Sequence, residues 1–155
     1  MKRTTVFLAI FVSFAFGRPA LAQNNDVAVV VNPQNGASNL TIAELRKIFA
    51  GEKRSWVSAV PVKLIVRGPG SHERETMLKL LDMTESEYKH YWAAQVFRGE
   101  AQSEPIVLPS IGMQKEAITL YPGGITLVEA QDVKPGMKVI KINGQVPGET
   151  GYPLQ

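Results

Sequence analysis

Lys63-Leu-Ile-Val-Arg67-Gly68-Pro69-Gly70-Ser71-His72-Glu73-Arg74 is the stretch on which the fold turns. An apolar run ends on a basic residue, passes through a Gly-rich turn and opens a helix at a serine. The run at 62–66 predicts a strand. The residues after it, with Met77, Leu78 and Leu81 on the inward side, predict a helix over 71–81. The first N–H groups of such a helix have no partner within it, and the helix dipole adds positive potential at that end. An anion is favoured there, and Arg67 places a guanidinium alongside.

The same alternation of strand and helix extends on both sides. Residues 26–31 are β-branched and almost wholly apolar, as in a strand covered on both faces. Thr41 with Glu44 forms a capping box for a helix carrying Ile42, Leu45, Ile48 and Phe49 on one face, and Gly51 suits the position after its end. Thr84 with Glu87 opens a further helix bearing Tyr88, Tyr91, Trp92, Ala94 and Val96, which Arg98 and Gly99 close. A short strand is expected at 106–108. Ser110 then caps a helix with Met113, Ala117, Ile118 and Tyr121 inward. Strands at 125–128 and 137–142 follow, the second ending at the hairpin signal Asn143-Gly144, and the tail beyond reads as irregular. The pattern predicts an α/β fold with at least partly parallel pairing.

The first residues read as an export signal. Lys2 and Arg3 precede a short apolar core, and Ala20-Leu21-Ala22 presents small residues for cleavage before Gln23. The expected organisation is a signal peptide over 1–22 and one α/β domain over 23–155, with no membrane insertion after cleavage. Of 17 Lys and Arg, three leave with the signal, so the mature chain carries 14 basic and 14 acidic side chains. That neutrality argues against a nucleic-acid partner. The chain has no cysteine, which excludes disulfides, thiol chemistry and Cys-based zinc sites. Its two histidines, His72 and His90, have no metal-ligand spacing, so no metal site and no cofactor is expected. Gly70-Ser71 lacks the glycine that would complete a nucleophile elbow, and no catalytic residue is assigned.

The order of landmarks resembles phosphate-type periplasmic solute-binding proteins, the phosphate-delivering components of ABC importers in the type 2 periplasmic-binding superfamily. The residues that carry the likeness are Val27 to Asn32-Pro33, then Leu40-Thr-Ile-Ala-Glu-Leu-Arg-Lys-Ile-Phe-Ala-Gly51 with Trp56. Tyr91-Trp92, Phe97-Arg98-Gly99, Pro109-Ser110 and Tyr121-Pro-Gly-Gly-Ile-Thr-Leu-Val128 continue it. The resemblance implies one lobe of that two-lobed fold, the second lobe with its closing strands: a mixed sheet flanked by helices. It implies that Arg67 is the charge partner of phosphate or a related oxyanion, with Gly70, Ser71 and His72 as donors. It also implies a periplasmic location and an ABC importer or another periplasmic protein as partner.

The loop departs from the family pattern of an arginine, an acid-containing turn and Gly-Ser-Gly-Thr. Pro69 stands where the acid is expected, and His72 and Glu73 replace the second Gly and the Thr. A carboxylate in the first helical turn suits the helix dipole but repels phosphate, an effect that Arg74 could partly offset. Two functions follow from these readings. One is non-catalytic oxyanion binding at residues 67–72; the other is a protein-interaction module that keeps the lobe fold without the ligand.

Overall fold

The computed structural model describes residues 25–155, so the export signal expected over 1–22 lies outside the described residues. Six strands form one mixed sheet in the order β2-β6-β1-β5-β3-β4. In chain order they are β1 (Val27–Val31), β2 (Asn39–Leu40), β3 (Lys63–Arg67), β4 (Ile106–Leu108), β5 (Gly124–Glu129) and β6 (Lys138–Ile142). The helices are α1 (Ile42–Phe49), α2 (His72–Leu81), α3 (Glu85–Phe97) and α4 (Ile111–Leu120). β3 runs parallel to both β4 and β5, and β2 parallel to β6. β1 is antiparallel to both of its neighbours.

All five residues of β1 are fully buried, as its composition requires, although neither of its pairings is parallel. The apolar run therefore reports coverage of both faces rather than strand direction. Alternate residues of β1 enter two cores. Val27, Val29 and Val31 pack with Leu45, Ile48 and Phe49 of α1, Met77, Leu80 and Leu81 of α2, and Tyr88 and Trp92 of α3. Ala28 and Val30 pack on the other face with Ile65, Val128 and Ile118 of α4.

The helix starts follow the sequence closely. Thr41 and Thr84 both form complete capping boxes, and Ser71 and Ser110 each accept the N3 backbone N–H. The Asn143-Gly144 turn has both residues at positive φ, with Ile142 and Gln145 exchanging backbone hydrogen bonds, as a two-residue hairpin demands. Gly123 has a different requirement. Its carbonyl accepts the Trp56 indole N–H at 2.9 Å, and a Cβ there would lie 1.8 Å from the Pro61 carbonyl oxygen. Only glycine fits that approach.

One inward assignment changes. In α4 Met113 is exposed and Gln114 is fully buried, its amide donating to the Thr126 hydroxyl at 2.8 Å and the Leu127 carbonyl at 2.9 Å. Ile118, one turn on, shares that face, so a polar side chain with a specific partner takes the place of an apolar one. In α3 Val96 is exposed, and the buried anchors are Tyr88 and Trp92. The tail is irregular but packed. Tyr152 and Leu154 are buried, the Tyr152 hydroxyl donates to the Val27 carbonyl, and the Val27 N–H donates to the Leu154 carbonyl.

Candidate functional site

Arg67 is the last residue of β3, and its position is fixed from both sides of that strand. β5 pairs with Lys63 and Leu64, and β4 pairs with residues 65–67 so that Arg67 faces Leu108 across the ladder. The Gly68 N–H continues the ladder to the Leu108 carbonyl at 3.2 Å. The chain then turns through Gly70, whose φ of +83° is a left-handed conformation that glycine adopts without strain. Ser71 follows in extended geometry and starts α2.

Both capacities of the Ser71 hydroxyl are in use. Its oxygen accepts the Arg74 N–H at 3.2 Å, and its proton is donated to the Gly68 carbonyl at 3.0 Å. The Glu75 N–H bonds to the Ser71 carbonyl, so the N–H groups of His72 and Glu73 precede the first helical hydrogen bond and remain at the mouth of the turn. The His72 ring leans toward the far end of β5, with Nδ1 3.9 Å from the Glu129 carboxylate. Arg67, Gly70, Ser71 and His72 thus lie on one strand–turn–helix unit, with the hydroxyl and the imidazole each facing an internal partner.

Two acidic side chains, Glu73 and Glu85, face the arginines of this loop. Glu73 turns inward from the first turn of α2 and is buried, with Oε1 3.5 Å from Arg67 Nε. Arg67 Nε and Nη1 are buried and have no hydrogen-bond acceptor among the described residues. The space bounded by Phe49, Arg67, Glu73, Arg74 and Met77 is too small to admit a water molecule.

Arg74 does not offset Glu73 in the way the sequence suggested. It is itself buried and reaches across to α3, donating from Nε and Nη2 to the two Glu85 carboxylate oxygens at 2.9 and 2.8 Å. Its guanidinium carbon lies 4.2 Å from the centre of the Tyr88 ring. The hydrogen bond from Arg74 holds the Glu85 carboxyl below the usual carboxylate range. Burial pushes the Tyr88 hydroxyl up to about 12 against the opposing pull of the Arg74 charge. No sequence rule links residues 74 and 85, which sit on different helices.

At the other end of β3 lies a larger groove of about 460 Å³, between the loop after α1 and the loop after α3. Lys53, Arg54 and Lys63 line it together with Trp92, Glu100 and Glu104. Each basic side chain already has a partner: Lys53 pairs with Glu44, Arg54 donates to the Gly51 carbonyl, and Lys63 lies over the Tyr121 ring. Among the described residues no cluster of His, Cys, Asp and Glu could hold a metal ion. No helix among them is long and apolar enough to cross a membrane.

Fold and loop together define a mixed-sheet α/β lobe with an arginine beside a capped helix amino terminus, the arrangement of a type 2 periplasmic-binding-protein-like domain. The family is shown directly: the profile of the PBP superfamily domain matches residues 19–153, and the chain belongs to that superfamily. Solved structures carry the same fold. One is an ABC-type phosphate transport receptor from Vibrio cholerae, 21% identical with a TM-score of 0.63 over 79% of this chain and 48% of the receptor. Another is PstS from Borrelia burgdorferi, 22% identical with a TM-score of 0.60 over 79% of this chain and 49% of that one. A third is a putative phosphate ABC transporter substrate-binding protein from Clostridium perfringens, with bound phosphate. It is 15% identical with a TM-score of 0.63, over 79% of this chain and 46% of its own. The likeness covers about half the length of each of these relatives.

Proposed function

We propose that this chain is a non-catalytic binding protein of the periplasm that takes up phosphate or a related oxyanion at the Arg67–Ser71 loop. In this reading residues 1–22 are a cleaved signal, 23–155 form one domain, and capture is completed by a second protein or a second copy supplying the facing wall. An ABC importer or another periplasmic protein is the downstream partner. The observation that supports the reading best is Arg67: two of its buried nitrogens have no hydrogen-bond acceptor among the described residues. Guanidinium donors match an oxyanion in charge and geometry. The N–H groups of the turn and of the first turn of α2 would complete the shell, and the Ser71 proton would have to leave the Gly68 carbonyl to join it.

The second reading is an interaction module without a ligand. It is favoured by the Arg67–Glu73 contact, which neutralises the site internally. A two-dimensional amide NMR titration separates the two. The protein recovered after export of the full chain is titrated with phosphate, then with sulfate at matched ionic strength. Saturable shifts confined to residues 67–74 are expected with phosphate. Their absence overturns the oxyanion reading in favour of the interaction module.

A further inference from the structure

Glu73 occupies the place that an oxyanion would take beside Arg67, and it does so imperfectly. We propose that Glu73 is a tethered counter-anion, so that the ligand enters only by displacing its carboxylate from the Arg67 guanidinium. This inference rests on the oxyanion reading given above and concerns the regulation of that same site.

Three observations support it. First, Glu73 is only 3% exposed, and a buried carboxylate needs a charge partner. The guanidinium nitrogen 3.5 Å away supplies it, while the other guanidinium lining the same space, Arg74, is committed to Glu85. Second, the match is poor. The contact at 3.5 Å exceeds hydrogen-bond length, and Arg67 Nε and Nη1 are left without acceptors. The carboxylate is anchored to the first turn of α2 and reaches Arg67 only as far as that backbone allows. A free tetrahedral oxyanion has no such tether and can approach the unused N–H groups directly. Third, the space is tight: with Glu73 in place it does not admit even a water molecule. An anion and the Glu73 carboxylate therefore cannot share it, on volume as well as on charge.

The gate needs little motion elsewhere. Glu73 stands shortly after the exposed turn residues Pro69 and Gly70, and in this proposal its side chain rotates toward that turn while α2 stays in place. Glu129, at the end of β5, faces His72.

The test is a phosphate titration at constant ionic strength of the wild-type protein, Glu73→Gln, Glu73→Thr and Arg67→Ala/Glu73→Gln, followed by amide NMR. Glu73→Gln keeps the shape without the charge, and Glu73→Thr removes the reach as well. Unchanged amide positions outside residues 67–74 verify folding, and either single variant suffices if the other does not fold. Removal of the internal competitor is expected to tighten phosphate binding by about tenfold or more, with shifts centred on residues 67–74. The gain is expected to vanish when Arg67 is also removed. If the wild type binds phosphate and the single variants bind no tighter, the counter-anion is overturned and the oxyanion site survives. A gain that persists without Arg67 overturns it too. If no protein binds, the oxyanion reading and the counter-anion fail together.

Discussion

Arg67 and Arg74 stand at the two sides of one turn, each beside a glutamate, and the fold treats them differently. Arg74 makes two hydrogen bonds at 2.9 and 2.8 Å to Glu85 and stacks on Tyr88. Arg67 has a single ionic contact at 3.5 Å and two buried nitrogens without acceptors. The difference follows from where each glutamate is anchored. Glu85 sits on the first turn of a separate helix, and helix-to-helix packing can bring its carboxylate into register with a planar guanidinium. Glu73 is on the first turn of the helix that follows Arg67, and that short connection limits its approach. Arg74 joins two helices through two hydrogen bonds and leaves one buried nitrogen, Nη1, without an acceptor; Arg67 makes no such bond and leaves two.

The largest effect is expected on the Arg74 side. Arg74→Ala removes the partner of a part-buried carboxylate and the packing over Tyr88, and should cost about 3 kcal/mol in urea unfolding at pH 7. A loss below about 1 kcal/mol would mean that the pair behaves as a surface ion pair and that the contrast with Arg67 is only geometric. The acid side sharpens the same point. Because Arg74 lowers the Glu85 carboxyl below its ordinary value of 4.5, the ionised form is the one the folded state favours. That contribution is fully present above 4.5 and is lost as the pH falls through the lowered folded value. Glu85→Gln should therefore destabilise at pH 7, with the gap to wild type closing below 4.5 in a series of urea midpoints.

A smaller effect is expected in the turn between the two arginines. Ser71→Ala should cost about 1 kcal/mol through loss of the cap on the Arg74 N–H. Ser71→Asp should recover most of that, since its carboxylate caps equally well. The added charge should also abolish any phosphate response at residues 67–74. A phosphate response that survives Ser71→Asp would place the anion elsewhere and remove the functional half of the comparison.

Much of this was readable beforehand because it is local. Thr41 with Glu44, Thr84 with Glu87, Ser71, Ser110 and Asn143-Gly144 are signals whose partners lie within a few residues, and each appears where expected. The covered strand at 27–31 and the helix ends are of the same kind, and the resemblance built on their order holds at the level of the superfamily. What escaped reading depends on contacts between elements. Gln114 is buried because Thr126 and Leu127 meet it across the sheet, and nothing in α4 itself distinguishes it from Met113. Arg74 was read as partly offsetting the Glu73 charge, yet its direction is set by Glu85 on another helix. Glu73 was read as repelling a ligand, but that its carboxylate would turn inward to Arg67 could not be told from spacing.

The smallest expected effect is the one that tests the contrast most directly. Arg67→Ala leaves Glu73 without its guanidinium. If that carboxylate were locked in place, the variant would hold a buried, uncompensated charge and lose about 3 kcal/mol or more, as much as Arg74→Ala. A tethered group beside an exposed turn has another course, which is to rotate into water. The expected loss is then under about 1 kcal/mol, because only a long ionic contact and some packing disappear. Restoring a neutral partner by adding Glu73→Gln should change the unfolding midpoint little further. Near-equality of Arg67→Ala and Arg74→Ala in urea unfolding would erase the distinction between the two arginines and make Arg67 a structural residue. A clear gap between them would identify the Arg67–Glu73 contact as the weaker of the two, the one an incoming oxyanion can take apart.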